Sequence, residues 1–314
     1  MHKEIPVALC FDKNYANQAA ITTHSIAINC KSNIKFYWVI PPEDLEAVKA
    51  LCAYMHNTFG LNIKPVSAFD DRLSGWKTGE HFSHAVYLRL LIPYLIDDPK
   101  VIYFDSDILV LDDISSLFST PLGEHLLAGV ADNPGGVGLS RVPRATEDVY
   151  INSGVLLMNL DLLRKDDFLQ KCENIHAAFR KEIAWADQCI LNKYAENKKL
   201  VIDACWNRLM VVDVMTDSYF KGLVSDSSSK VIHFAGSVKP WQEWCSPLVA
   251  NYWWTHAKKV GLKNFSPTRI ANIKQALSLA SILDMNLKFD QASAVKAQVI
   301  DFLIAKLKDS GISI

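Results

Sequence analysis

Two carboxylates, Asp105 and Asp107, interrupt the apolar run VIYFDSDILVLDD at residues 101–113. In an extended chain alternate side chains share a face, so the two acids would point the same way, with Ser106 between them on the other side. Carboxylates held that close repel unless something positive sits between them. A divalent cation is the usual remedy, and oxygen ligands of this kind suit magnesium, manganese or calcium. Taken alone, the pair reads equally well as a strand end whose acids cap the following turn.

The elements around the pair form an alternating series. IPVALCF and IKFYWVI are short, apolar and β-prone, as buried parallel strands are, and each gives way to a stretch of helical spacing, QAAITTHSIAINC and EDLEAVKALCAYM. LNIKPVSAF is a weaker third strand because of Pro65. A helix is expected through HAVYLRLLIPYLI, followed by a strand through VIYFDSDILVL. HLLAGVADN, INSGVLLMNL and VIHFAGSVKPW are further apolar segments with polar ends, and DNPGGVGLSRVPRA reads as a long connection. The alternation predicts an α/β fold, a doubly wound and mostly parallel sheet flanked by helices, with ligands outside the carboxyl ends of the strands. After residue 256 it stops, and the spacing of Ile270, Ile273 and Leu277 and of Ile300, Leu303, Ile304 and Leu307 predicts a small helical region.

Composition excludes several classes. With 314 residues, half of them apolar, the chain can bury a large core, and 33 basic against 34 acidic residues give no electrostatic case for nucleic acid. From Ala257 onward nine Lys and Arg face four Asp. Two readings of that basic end stand side by side, peripheral contact with an anionic membrane and an ordinary solvated appendage. Seven scattered cysteines without a Cys-x-x-Cys pair favour a reducing compartment. The absence of an apolar run long enough for a membrane span, and of a hydrophobic leader in MHKEIPVALCFD, predicts a cytoplasmic protein, soluble or peripheral at the inner face of the membrane.

Two chemistries compete for the Asp-x-Asp pair. In a phosphohydrolase of the haloacid dehalogenase type Asp105 would be the nucleophile, but that motif opens its domain and carries a small hydroxyl residue two positions on. Here a hundred residues precede the pair and Ile108 follows it. In a sugar transferase both acids would hold a metal on a nucleotide diphosphate, and this reading leads. A third, from another class, is a non-catalytic nucleotide- or glycan-binding module.

FDKNY, YLRLLIPYL, VIYFDSDILVLDDI, INSGVLLMNL, ADQCILN and HFAGSVKPW fall in the order and at the approximate spacing found in family 8 retaining glycosyltransferases. Over residues 5–245 the chain resembles that family, in particular its bacterial members that add galactose or glucose to lipopolysaccharide. The resemblance implies a Rossmann-like nucleotide-sugar domain of GT-A type over residues 1–256, with residues 257–314 as a helical C-terminal region associated with membrane or acceptor.

It also implies roles, residue by residue. Asp105 and Asp107 would bind Mn2+, or Mg2+, with His233 as the third protein ligand; by itself a histidine after an apolar pair is more often a core residue. Lys239 would join the metal in neutralising the leaving diphosphate, and Gly236 would allow close backbone approach to it. Asp12, Asn14 and Tyr15 match the segment that holds uracil and ribose, although DKNYAN also reads as a polar turn and helix cap. His81 and Ser106 fall within the donor site. Arg89 resembles the arginine that contacts the donor sugar or diphosphate, the bland alternative being an exposed helix arginine. Asp132, Asn152, Asp187 and Gln188 correspond to residues around the donor sugar, where carboxylates and amides satisfy hydroxyls stripped of water.

Asp187 and Gln188 are the expected catalytic residues. An amide is a poor nucleophile, so stabilisation of an oxocarbenium-like transition state with same-face attack is favoured, and a double displacement stays open. Many relatives carry a second carboxylate directly after the glutamine; this chain has Cys189 there, which weakens any mechanism needing an acid at that position. Trp185, Trp241, Trp244, Trp253 and Trp254 read either as stacking platforms for sugar rings or as core. The expected function is metal-dependent transfer of a hexose, galactose or glucose, from a UDP-sugar to a saccharide acceptor such as lipopolysaccharide.

Overall fold

IPVALC and IKFYWVI become β1 (Ile5–Cys10) and β2 (Ile34–Ile40), paired in parallel from Ile5 opposite Ile34 to Cys10 opposite Val39. Every β1 residue is buried, which is why its sequence shows no polar alternation. The computed structural model describes residues 4–78, 83–132, 142–145 and 147–309. His81 and most of the DNPGGVGLSRVPRA connection lie outside the described residues. The chain divides into two compact units, Met1–Arg208 and Leu209–Ile314.

The first unit continues with β3 (Asn62–Ser67), β4 (Lys100–Phe104), β5 (Ile108–Val110), β6 (Leu127–Ala131), β7 (Ile151–Asn159) and β8 (Lys199–Ile202). Seven strands form one sheet in the order β3-β2-β1-β4-β7-β6-β8. All pairings are parallel except those of β7, which runs antiparallel to both β4 and β6. Pro65 is tolerated because β3 is an edge strand, where a missing N–H breaks no ladder on the open side. The intervening helices are α1 (Ala16–Asn29), α2 (Leu45–Phe59), α3 (Ile92–Leu95), α4 (Ser115–Ser119), α5 (Leu160–Lys165), α6 (Phe168–Ala178) and α7 (Ala186–Tyr194). One core cluster joins Tyr37, Tyr87, Tyr103, Ile92, Phe168 and Ile190. All seven cysteines are free thiols, six of them buried.

Two elements differ from expectation. HAVYLRLLIPYLI forms a 3-10 helix over His84–Leu91 before the single-turn α3. Pro93 supplies no N–H for the Arg89 carbonyl and its ring crowds that carbonyl; Ile92 N–H bonds it instead, which is 3-10 spacing. VIYFDSDILVL is not one strand: β4 stops at Phe104, Ser106 and Asp107 form a turn, and β5 begins at Ile108.

The second unit carries α8 (Asp217–Ser225), a strand over Val231–His233, α9 (Pro247–Val260), α10 (Ile273–Met285) and α11 (Phe289–Asp309). Trp241, Trp244 and Trp253 are buried, with Trp241 and Trp254 each against Trp253 at centroid distances of 5.2 and 5.1 Å. Trp241, Trp244 and Trp253 are core rather than an open sugar platform. Asp217 on α8 anchors the helical end, accepting from Lys288 Nζ at 2.7 Å and from the Ser246 hydroxyl. Among the described residues no helix is long and apolar enough to cross a membrane.

Candidate functional site

The β4–β7 ladder extends one residue past β4, since Asp105 N–H donates to the Gly154 carbonyl at 2.8 Å. The chain then turns through Ser106 and Asp107, so the strict alternation of a strand does not govern which way Asp107 faces. Helix α1 holds the turn: the Thr22 hydroxyl lies 2.9 Å from the Ser106 carbonyl oxygen and 2.8 Å from that of Ile108. The Ser106 hydroxyl is buried and makes no hydrogen bond among the described residues.

Asp105 Oδ1 accepts two hydrogen bonds, from Arg89 Nη2 at 2.8 Å and from the Tyr103 hydroxyl at 2.6 Å. Arg89 is not an exposed helix arginine: it is 3% accessible, and Nη1 donates to the Ser153 carbonyl at 2.8 Å. Its Nε stands 3.1 Å from Asp187 Oδ2 while directing its hydrogen to the Val86 carbonyl. The Asp187 contact is therefore one of charge more than of hydrogen bonding, consistent with Oδ2 lacking an aligned donor. Burial raises the Asp187 carboxyl from its ordinary value to about 6, against the pull of Arg89 and with the repulsion of Asp105. Burial works against the guanidinium charge, but Asp105 and Asp187 outweigh it and hold Arg89 cationic. A carboxylate whose Oδ1 already serves two donors is a weakened nucleophile, which counts against the phosphohydrolase role for Asp105.

Gln188 is locked at both ends of its amide. Nε2 donates to Asp132 Oδ2 at 2.8 Å, and Oε1 accepts the Ser153 N–H at 2.9 Å. Asp132 follows β6 directly, its N–H bonded to the Tyr150 carbonyl at 2.9 Å. Asn152 Oδ1 accepts from Gly154 N–H at 2.9 Å and from Asn207 Nδ2 at 2.8 Å. Asn192, fully buried on α7, brackets Ile151 with two 2.8 Å bonds and donates to the Gln188 carbonyl at 2.9 Å. Ala186, the residue before Asp187, has φ of +38°, a backbone strain at the point where α7 presents Asp187 and Gln188.

Arg89, Asp105, Asp132, Asn152, Asp187 and Gln188 thus gather around the end of the sheet where β4 and β6 finish and β7 starts. Asp12, Asn14 and Tyr15 follow the corresponding end of β1, where Asp12 caps a short 3-10 turn by accepting Asn14 N–H at 2.9 Å. Tyr103, Ser153, Asn192 and Asn207 were not anticipated. Two of them carried a spacing signal: Tyr103 lies two residues before Asp105 on a strand, and Asn192 lies four after Gln188 on a helix. Cys189 sits in a small cluster with Val142 and Tyr150, its sulfur 3.2 Å from the Tyr150 hydroxyl and accepting the Trp185 N–H at 3.3 Å.

In the second unit His233 ends its strand with 4% accessibility, and its carbonyl accepts Met210 N–H at 2.8 Å. Gly236 has φ of +85°, and a Cβ there would meet Val211 Cγ1 at 2.8 Å. Local geometry alone therefore demands glycine. Lys239 Nζ donates to the Phe234 carbonyl at 2.8 Å. Asp105, Asp107 and His233 each offer an atom of a kind that ligates metal, a carboxylate oxygen or an imidazole nitrogen. Two carboxylates and an imidazole are a donor set that manganese or magnesium accepts, so these residues fit a divalent cation.

The family model described as glycosyl transferase family 8 matches residues 6–245. The chain is 26% identical over 248 residues to glycosyltransferase GlyA of Streptococcus pneumoniae, covering 79% of this chain and 34% of GlyA, so it spans about a third of that relative's length. It is 24% identical over 287 residues to lipopolysaccharide 1,2-glucosyltransferase of Escherichia coli K12, covering 87% of this chain and 81% of that protein. The solved structure of galactosyltransferase LgtC with donor and acceptor sugar analogs matches with a TM-score of 0.70 and 24% identity, over 81% of this chain and 96% of LgtC. That likeness shows the GT-A fold, and the match of the family model over most of the sequence shows that the chain belongs to glycosyltransferase family 8.

Proposed function

We propose that this glycosyltransferase moves a hexose, galactose or glucose, from a UDP-sugar to a saccharide acceptor with retained configuration, in a reaction that depends on manganese or magnesium. The observation that carries the reading is the Arg89–Asp105–Asp187 cluster beside the Asp132–Gln188 pair at the strand ends. Asp105, Asp107 and His233 would hold the cation, which supplies positive charge against the leaving diphosphate.

The chain's own residues do the rest. Asp12, Asn14 and Tyr15 take the uracil and ribose after β1, and Ser106 contacts the nucleotide from the turn after β4. Asp132, Asn152 and Asp187 bind sugar hydroxyls. Gln188, its amide fixed by Asp132 and by the N–H and hydroxyl of Ser153, sets the partial negative charge of its carbonyl oxygen against positive charge at the anomeric carbon. Lys239 and Gly236 take the diphosphate from the second unit. Residues 1–256 act as the nucleotide-sugar region and 257–314 as a region for acceptor or membrane contact. The acceptor class is lipopolysaccharide or another surface glycan and the setting is the cytoplasmic face of the membrane, a reading supported by the nine basic residues after Ala257 and by exposed Leu287, Phe289 and Phe302.

Thermal melting with UDP, with manganese, with both and with neither tests the proposal, because a ligand that binds only the folded state raises the melting temperature. The largest shift is expected with both present. No shift with UDP under any metal would overturn the reading.

A further inference from the structure

Tyr103 is fully buried in β4, two residues before Asp105. Because the ladder continues through Asp105 N–H, the two side chains leave the backbone on the same side, and the phenol hydroxyl reaches Asp105 Oδ1 at 2.6 Å. Arg89 Nη2 reaches the same oxygen at 2.8 Å, and the guanidinium carbon sits 4.3 Å from the centre of the Tyr103 ring. Two donors fill the two in-plane lone pairs of one carboxylate oxygen.

We propose that Tyr103 is a positioning residue for the metal: with Arg89 it occupies Oδ1, so that Asp105 binds the cation through Oδ2 alone and in one orientation. The inference rests on the metal-dependent reading given above. Partners of this kind set both the orientation and the electron density of a ligand, and their loss typically weakens metal binding by about 10–100-fold. The hydroxyl makes the bond to the carboxylate, whereas the ring packs on Arg89. Tyr103→Phe therefore removes the positioning contact and leaves the packing.

The control lies elsewhere in the same sheet. The buried Tyr37 hydroxyl also donates to a carboxylate, Asp98 Oδ2 at 2.8 Å, so Tyr37→Phe removes a bond of the same kind away from the ligands. Manganese affinity of the full chain, with UDP present, is read from loss of the free-ion electron paramagnetic resonance signal, on protein whose near-ultraviolet circular dichroism matches wild type. Tyr103→Phe should bind manganese about tenfold more weakly, Tyr37→Phe within twofold of wild type, and 3-fluorotyrosine at position 103, which keeps the hydroxyl, should restore the affinity. Equal affinity in wild type and Tyr103→Phe, or equal losses in the two Phe variants, would overturn the positioning role alone. A wild-type protein that takes up no manganese would overturn the metal-dependent reading and this inference together.

Discussion

Arg89 and Asp187 stand 3.1 Å apart with side-chain accessibilities of 4% and 6%, a charge pair almost sealed from water. The same guanidinium also serves Asp105, so removing it strands the buried Asp187 carboxylate and takes one of two donors from the half-buried Asp105 Oδ1. Arg89→Ala should destabilise the protein by about 3–5 kcal/mol in urea unfolding. Arg89→Lys should recover only part of that, since one ammonium cannot reach Asp105, Asp187 and the Ser153 carbonyl as a fork does. A loss under about 1 kcal/mol for Arg89→Ala would mean that water already screens the pair.

The raised carboxyl of Asp187 makes stability depend on pH in a definite direction. Its folded value, about 6, lies above its ordinary carboxylate value, so between them the folded state binds more proton than the unfolded state. Stability from this group is greatest below that window and declines as pH rises through about 6. Asp187→Asn does not titrate. The difference in unfolding free energy should therefore move in favour of the variant between about pH 4 and 6, by at most about 3 kcal/mol, and stay level above about pH 7. A difference that is flat over the whole range would show an ordinary carboxyl.

Asp107 lies in the turn after β4 and is one of the three proposed metal ligands. Asp107→Ala should abolish metal-dependent UDP-sugar turnover while leaving circular dichroism and the melting temperature of the metal-free protein close to wild type. Unchanged turnover would remove Asp107 from the proposed ligand set.

Asn192 tests how far the Gln188 amide depends on its support. Asn192→Asp keeps the shape and the acceptor for Ile151 N–H, but loses the donors to the Ile151 and Gln188 carbonyls and buries a charge. The expected result is destabilisation of at least about 2 kcal/mol with turnover reduced in parallel. Stability at the wild-type level would show that the bracket is dispensable.

Much of this arrangement was legible in the residues, and the parts that were not have physical reasons. β1 and β2 announce themselves because strands buried on both faces carry unbroken apolar runs. The 3-10 segment over His84–Leu91 did not, since its apolar spacing matches an α-helix and only Pro93 hints at tighter winding. The break between β4 and β5 was hidden for the opposite reason: Asp105 and Asp107 look alternating although a turn separates them. That Cys189 packs with Val142 and Tyr150 is likewise a direction that one sequence does not encode. The indoles of Trp241 and Trp253 show the same limit, because composition cannot distinguish an aromatic platform from an aromatic core.

The antiparallel β7 sits between β4 and β6 in the middle of the sheet, although it comes late in the chain. During synthesis β1, β2, β3 and β4 are all made well before β7, and once clear of the ribosome they can pair as a four-stranded half-sheet. The open edge of that half-sheet is β4, an apolar strand whose partner has not yet been translated. Until Ile151–Asn159 emerges, that edge is available to any neighbouring chain, and the same strand carries Tyr103 and leads into Asp105. Nascent chains stalled between those points are the species in which self-association is expected to begin.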